Sequence, residues 1–251
     1  MMQNPIGARL ASGDTILNGW LHIPSSWSAE IMARAGWDSV TVDFQHGFHD
    51  VSGALAMLQA IEAGGATPLV RVNWNEPGMI MRMLDAGAMG VICPMIESAE
   101  QCAAFVGACR YPPAGYRSLG PTRPRLVHGA DYAQRANDEV LAIAMIETVA
   151  ALDSLDRIAA VDGLDGLFVG TGDLRLSLRA QQREDETEAA LEQIAAAAAR
   201  HSLWSGLFTA NPADVPRRRA QGFRFITVMT DGMLLAEHAR AVIGQIRDTK
   251  E

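Results

Sequence analysis

Lysine is almost missing from this chain. The only one in 251 residues is Lys250, next to the C-terminus, so chemistry through a Schiff base on a lysine amine in the body of the protein has no residue to use. Cysteine is scarce as well: Cys93, Cys102 and Cys109 are an odd number with no close pair, giving neither a disulfide framework nor a cysteine zinc site. All three read as small core or helix residues. No apolar tract is long enough to span a bilayer, and the start MMQNPIGARLASGD lacks the basic segment, apolar stretch and cleavage site of a secretory signal. The expectation is a cytoplasmic protein with no membrane partner. Positive charge is in deficit, with Lys plus Arg 21 against Asp plus Glu 29 and a net charge of −8, which argues against a nucleic-acid partner. The one basic cluster, Arg217-Arg218-Arg219 after Asn211-Pro212, reads as the solvated face of a helix.

What is present is a globular composition, 49% hydrophobic and 20% charged, with enough length for a sizeable core. Short apolar runs alternate with helix-length segments. The runs Ile16–Ile23, Ser39–Asp43, Pro68–Val72, Gly90–Pro94, Leu141–Ile146, Gly166–Val169, Trp204–Phe208 and Phe225–Val228 predict eight strands. Between them, Ser28–Ala35, Val51–Ala63, Pro77–Ala86, Ala99–Cys109, Thr187–His201 and Ala213–Gln221 predict helices. Eight strands with intervening helices are the count of a closed (β/α)8 barrel, here one domain over 1–251. A doubly wound open sheet is the alternative, but it calls for a Gly-rich turn after the first strand, and LHIPSSWS has none. The stretch Tyr111–His128, rich in Pro, Gly and Arg, is too long for an ordinary connector and reads as a functional loop over the C-terminal mouth. In the last helix Leu235, Ala239, Val242 and Ile246 share a stripe widened by Leu234 and Ile243, which predicts packing against more than its own barrel.

Two acids carry the most information: Glu147 closes LAIAMIE and Asp173 closes GLFVGTGD, 26 positions apart and each at the tip of a predicted strand. Strand tips are where such a barrel assembles a divalent-metal site, although an acid after a strand can equally be a helix N-cap. Glu147 is the more telling of the two, since Glu is a poor cap. In VDFQHGFHD, Asp43 ends another strand and His46 follows closely enough for the carboxylate to hold its imidazole, which makes His46 a general-base candidate or else a surface histidine. His46 and His49 as a zinc pair lack a third nearby ligand. Arg71 lies in the apolar run PLVRV, where its fork meets either a bound anion or a strand-end acid such as Asp43. Gly170 and Gly172 bracket Thr171 before Asp173, freeing backbone N–H groups for a carboxylate or simply making a tight turn.

Taken in order, NGWLHIPSSWSAEIMARAGWDSVTVDFQHG (18 to 47), PLVRVNWNEP (68 to 77), LDAGAMGVICPMIESAEQ (84 to 101), RSLGPTR (117 to 123), MIET (145 to 148) and GLFVGTGDL (166 to 174) resemble the HpcH/HpaI aldolases over almost the whole chain. The resemblance implies a metal-dependent (β/α)8 aldolase that cleaves 4-hydroxy-2-oxoacids into pyruvate and an aldehyde. It places Mg, Mn or Co on Glu147 and Asp173, Arg71 at the keto oxygen, and His46 with Asp43 in proton transfer. Gly172, Asp173 and Arg123 fall on the substrate side, and the assembly implied is a homo-oligomer, trimer or hexamer, with exchanged C-terminal helices. The chain departs from the family pattern at Met145, where Gln is common, at Thr171-Gly172, where Pro-Ala is common, and at Arg175, where small residues are common. The missing Cβ of Gly172 makes hydroxypyruvate a candidate donor beside pyruvate. Two rivals stand beside this reading: a CoA-thioester lyase of the citrate lyase β-subunit type, and a catalytically silent metal-binding barrel.

Overall fold

The computed structural model describes residues 4–248, so Lys250 lies outside the described residues. Eight strands form the barrel: β1 Ile16–Leu21, β2 Ser39–Asp43, β3 Thr67–Arg71, β4 Gly90–Cys93, β5 Leu141–Ile146, β6 Gly166–Val169, β7 Trp204–Thr209 and β8 Phe225–Val228. Every neighbouring pair is parallel, and β8 pairs with β1 to close the ring. Strands covered on both faces have no polar side to show, and this is why they stand in the sequence as nearly unbroken apolar runs. The expected (β/α)8 barrel is what forms, and the alternative of a doubly wound open sheet is excluded by the closure.

Alternate strand residues point inward. The lower interior packs Ile16, Leu69, Leu141 and Phe225 against Ile6 and Leu10 of the helix Pro5–Ala11. Gly166 and Gly206 make room there, because a Cβ on Gly166 would lie 2.6 Å from the Trp204 ring. Above this layer Asn18 bonds Thr227, Ser39 and Thr41, all buried, so the polar atoms of the middle layer satisfy one another. The upper layer is Trp20, Asp43, Arg71, Met145 and Phe168, with Trp20 and Phe168 stacked at 5.6 Å. Helices dock their apolar stripes on the outside, several with a Ser, Thr or Asp N-cap: Ser25, Asp50, Ser98 and Thr148 each accept a backbone N–H from the first turn.

The structure departs from the sequence reading at two places. Tyr111–His128 is an excursion between the helix Ala99–Cys109 and β5, containing a helix at Thr122–His128. A connection from helix to strand returns the chain to the N-terminal end of the barrel, so this segment lies at the opposite end from the C-terminal mouth. Its anchor is Arg117, fully buried between Tyr111 and Tyr132 and paired with Asp85 at 2.7 Å. The second departure is Arg218, which is buried and makes two bonds to Glu188, holding that carboxyl down at about 2. The basic cluster is therefore partly internal, not a solvated face. The three cysteines are free and buried, as expected, and burial pushes the Cys102 and Cys109 thiols up to about 12.

Candidate active site

The C-terminal mouth holds a cavity of about 200 Å³ lined by Trp20, His22, His46, Arg71, Gly170, Gly172 and Asp173 among others. The registers explain the convergence. Asp43 pairs directly with Arg71 across β2 and β3, so their side chains leave the ladder side by side and point inward. Glu147 follows β5 two residues after the inward Met145, and Asp173 lies in the first turn of the helix Thr171–Ala180 that follows β6.

Asp43 is the hub. Its carboxylate, fully buried, accepts Arg71 Nε at 2.8 Å and Nη2 at 2.5 Å, Trp20 Nε1 at 3.1 Å and the His22 ring at 2.7 Å. Burial alone would push this carboxyl up, but the bonds from His22, Arg71 and Trp20 outweigh it and hold it well below the usual carboxylate range. Arg71 lies 4.9 Å over the Trp20 ring, and its Nη1 reaches toward Met145 Sδ at 3.9 Å. Two of its donor groups are thus taken by Asp43 while Nη1 stays beside the cavity.

Glu147 is only 1% exposed and its two oxygens differ. Oε1 accepts Met95 N at 2.7 Å, a bond set up by the left-handed backbone of Met95, φ 56°. Oε2 is buried with no hydrogen-bond partner. Burial raises this carboxyl above its ordinary value, the Met95 N–H opposes that, and Asp173 raises it again. Asp173 makes no capping bond to its helix, where Gly170 holds the N-cap position without a side chain, so the capping reading of this acid has no support. A Cβ on Gly170 would stand 2.3 Å from Glu147 Oε2, so glycine there keeps a space beside the orphan oxygen. An unpartnered carboxylate oxygen, a second carboxylate near it and a cleared space fit a hard divalent cation. The described residues contain no cluster of three or more His, Cys, Asp or Glu that could hold a metal, so waters or substrate oxygens would complete the shell. That also leaves His46 and His49 without a zinc site.

The remaining sequence candidates divide. His46 lines the cavity, but its ring has no hydrogen bond among the described residues; Asp43 meets only its backbone N–H, at 3.4 Å. The imidazole that Asp43 holds belongs to His22, which sequence reasoning missed. The available signal was its place one residue past the tip of β1. Arg123 is not brought to the cavity: its guanidinium bonds Ala86 O at 2.9 Å and Glu62 at 2.5 Å, at the N-terminal end of the barrel. It was expected on the substrate side because the excursion was expected over the mouth. Asp231, also missed, is buried at the start of the last helix and accepts His22 N, Ile23 N and Ser28 Oγ, locking the loop after β8 onto the loop after β1.

Comparison with known proteins places this geometry. Residues 19–238 match the family model described as HpcH/HpaI aldolase/citrate lyase. The chain is 39% identical over 239 residues to a hydroxypyruvate/pyruvate aldolase of Rhizorhabdus wittichii, covering 94% of this chain and 95% of that protein. It is 35% identical over 246 residues to a 4-hydroxy-2-oxo-heptane-1,7-dioate aldolase of Escherichia coli, covering 96% and 94%. A solved HpcH/HpaI aldolase/citrate lyase family protein from Burkholderia cenocepacia J2315 superposes with a TM-score of 0.91 at 32% identity, over 98% of this chain and 100% of that one. A citrate lyase β subunit from Mycobacterium tuberculosis is far more distant, with a TM-score of 0.56 at 20% identity. The chain belongs to the HpcH/HpaI aldolase/citrate lyase family, and it is an aldolase, a carbon–carbon lyase.

Proposed function

We propose that this aldolase cleaves and forms 4-hydroxy-2-oxoacids, joining pyruvate or hydroxypyruvate to an aldehyde, with Mg, Mn or Co held by Glu147 and Asp173. The observation that carries the reading is Glu147 Oε2, buried without a partner beside Asp173 and Gly170. Leaving such an oxygen unpaired costs about 1–3 kcal/mol, a cost that a bound cation removes. When bound, the cation supplies a Lewis acid at the keto oxygen of the donor and neutralises the two carboxylates.

The residues of the chain do the rest. Arg71 Nη1 donates to the oxygen on which enolate charge develops, and the grip of Asp43 on Nε and Nη2 fixes the guanidinium plane in advance. The backbone N–H groups of Thr171–Asp173, in the first turn of the helix after β6, receive the donor carboxylate, Gly170 N–H being taken by Ile146 O at 3.3 Å. Trp20 and Phe168 floor the cavity and exclude water from below. An imidazole on the β1–β2 side, where His22 and His46 both stand, takes the proton from the C4 hydroxyl as the C3–C4 bond breaks. Around an added Cβ on Gly172 nothing lies within 4 Å, so the donor's third carbon has free space in which to carry a hydroxyl. The names of both relatives support these substrates.

The chain works as a single barrel domain within a homo-oligomer, trimer or hexamer. Supporting this, the last helix Asp231–Asp248 has its main contact with β1 and leaves Leu235 65% and Ile246 59% exposed. A cytoplasmic setting agrees with the absence, among the described residues, of any helix long and apolar enough to cross a membrane. Small 2-oxoacids and aldehydes are then its only substrates, with no nucleic-acid partner. The test is retro-aldol turnover measured with pyruvate as product, before and after chelation. Turnover that disappears with chelator and returns with Mg, Mn or Co is expected, whereas borohydride trapping of a pyruvate adduct on the protein would overturn the metal reading.

A further inference from the structure

Glu147 and the two residues after it each bond to a neighbouring element. Glu147 Oε1 accepts Met95 N at 2.7 Å from the loop after β4. Thr148 Oγ1 donates to Glu97 Oε1 at 2.8 Å in that same loop, and Val149 N donates at 3.0 Å to Ser177 Oγ, one helical turn beyond Asp173. The loops after β4 and β5 thus exchange carboxylates: Glu147 takes an N–H of the first, and Glu97 takes a hydroxyl of the second. The backbone of Glu97 is fixed in turn, its N–H donating to Gln101 Oε1 at 2.8 Å, while Ser98 Oγ caps the helix that follows. Thr148 Oγ1 also accepts Ala151 N at 3.1 Å as the cap of the helix Val149–Asp153. Met95 holds a left-handed backbone at φ 56°, which a non-glycine residue keeps only where its surroundings enforce it.

We infer that Glu97 and Thr148 are positioning residues of the cation site, closing a clasp between the loops after β4 and β5 that keeps Glu147 Oε2 turned to the space beside Gly170. The inference deepens the reading of Glu147 and Asp173 as metal ligands and rests on it. Two carboxylates that must share one cation repel each other until it arrives, so they need to be held. Glu147 has a single bond, to Met95, and rotation of its side chain would turn Oε2 away. Its aim therefore depends on where the Met95 N–H stands. The Glu97–Thr148 bond fixes this, tying the loops together two residues beyond Met95 on one side and one residue beyond Glu147 on the other. It is charge-assisted, and so stronger than a bond between neutral groups. Loss of a partner that orients a metal ligand typically costs about 10–100-fold in metal affinity. Glu97 adds its own negative charge to the site, an effect that Thr148 does not share.

Titration of the metal-free, full-length protein with Mn, followed by the electron paramagnetic resonance of free Mn, tests this without turnover. Thr148→Val should weaken Mn binding by roughly 10- to 100-fold, whereas Thr148→Ser, which keeps the hydroxyl, should stay within about threefold of wild type. Asp50→Ala removes a cap of the same kind from the helix Val51–Ala63, so it should lower the melting temperature as Thr148→Val does and leave Mn affinity unchanged. Glu97→Ala breaks the same bond from the other side while Thr148 still caps its helix, so it carries the test if Thr148→Val does not fold. With both substitutions together, the loss should be roughly fivefold or more below the product of the two single losses, because one bond is broken twice. Wild-type affinity in Thr148→Val or Glu97→Ala would overturn the inference. So would equal weakening by Thr148→Ser, losses that multiply in full, or a loss of affinity in Asp50→Ala matching that of Thr148→Val. Mn binding by Glu147→Gln as tight as in wild type would instead bring down the metal reading itself.

Discussion

Replacing Asp43 with Asn removes the counter-charge of an arginine that has nowhere else to go. Arg71 is 5% exposed, and two of its donor groups end on the Asp43 carboxylate. Breaking a buried ion pair from one side costs about 3–5 kcal/mol, since the remaining charge stays desolvated. For a chain of this size each kcal/mol moves the melting temperature by about 2–4 °C, so Asp43→Asn should melt roughly 6–20 °C below wild type. That is a large part of a total stability of about 5–15 kcal/mol. Asp43→Leu combined with Arg71→Leu should recover part of the loss, because it leaves no orphan charge. The pH dependence has a definite sign. The folded-state value of Asp43 lies below its unfolded value, so its contribution is full at neutral pH and is lost as pH falls through the folded value. The gap between wild type and Asp43→Asn should therefore persist at pH 7 and narrow below about pH 4. Differential scanning calorimetry across pH reads both effects. A variant melting within 2 °C of wild type at pH 7, by the roughly 2–4 °C per kcal/mol above, would refute the buried-pair account.

Other substitutions separate metal, oxyanion and donor roles. Glu147→Gln should leave the metal-free protein as stable as wild type or more so at neutral pH, because the raised folded-state value of Glu147 means that it contributes stability only at acid pH and loses it as pH rises; the melting shift produced by added Mn should vanish, and a retained shift would remove Glu147 from the metal site. Arg71→Lys keeps charge but loses the planar fork, so kcat/KM should fall by about 2–4 kcal/mol of transition-state stabilisation, read by steady-state kinetics on a variant confirmed to be folded. Gly172→Ala adds a Cβ into open space, so the fold should be unaffected while the kcat/KM ratio of hydroxypyruvate to pyruvate falls; an unchanged ratio would detach Gly172 from donor choice.

The barrel was legible in the sequence because its causes are local. Strands buried on both faces must be apolar throughout, and all eight end within two residues of the runs that predicted them. Helices start at Ser25, Asp50, Ser98 and Thr148, whose side chains close the first turn. Acids at strand tips were visible for the same reason: Glu147 follows an apolar run in which a charge needs an explanation, and the fold puts strand tips together at one mouth. What stayed hidden was which side chains meet. Asp43 bonds His22, 21 positions earlier in the chain, and not the nearby His46 ring, because strand parity and the Asp231 lock on the β1 loop aim His22 inward. The face of the Tyr111–His128 excursion, the pairing of Arg123 with Glu62 and the burial of Arg218 against Glu188 were equally invisible. The sequence by itself determined the order of strands, the kind of fold and the residue types at the mouth, since backbone periodicity and apolar burial act along the chain. Only the tertiary structure decided the partners of each charge, because a carboxylate pairs with whatever donor the closed barrel brings within 3 Å, whatever the distance along the sequence.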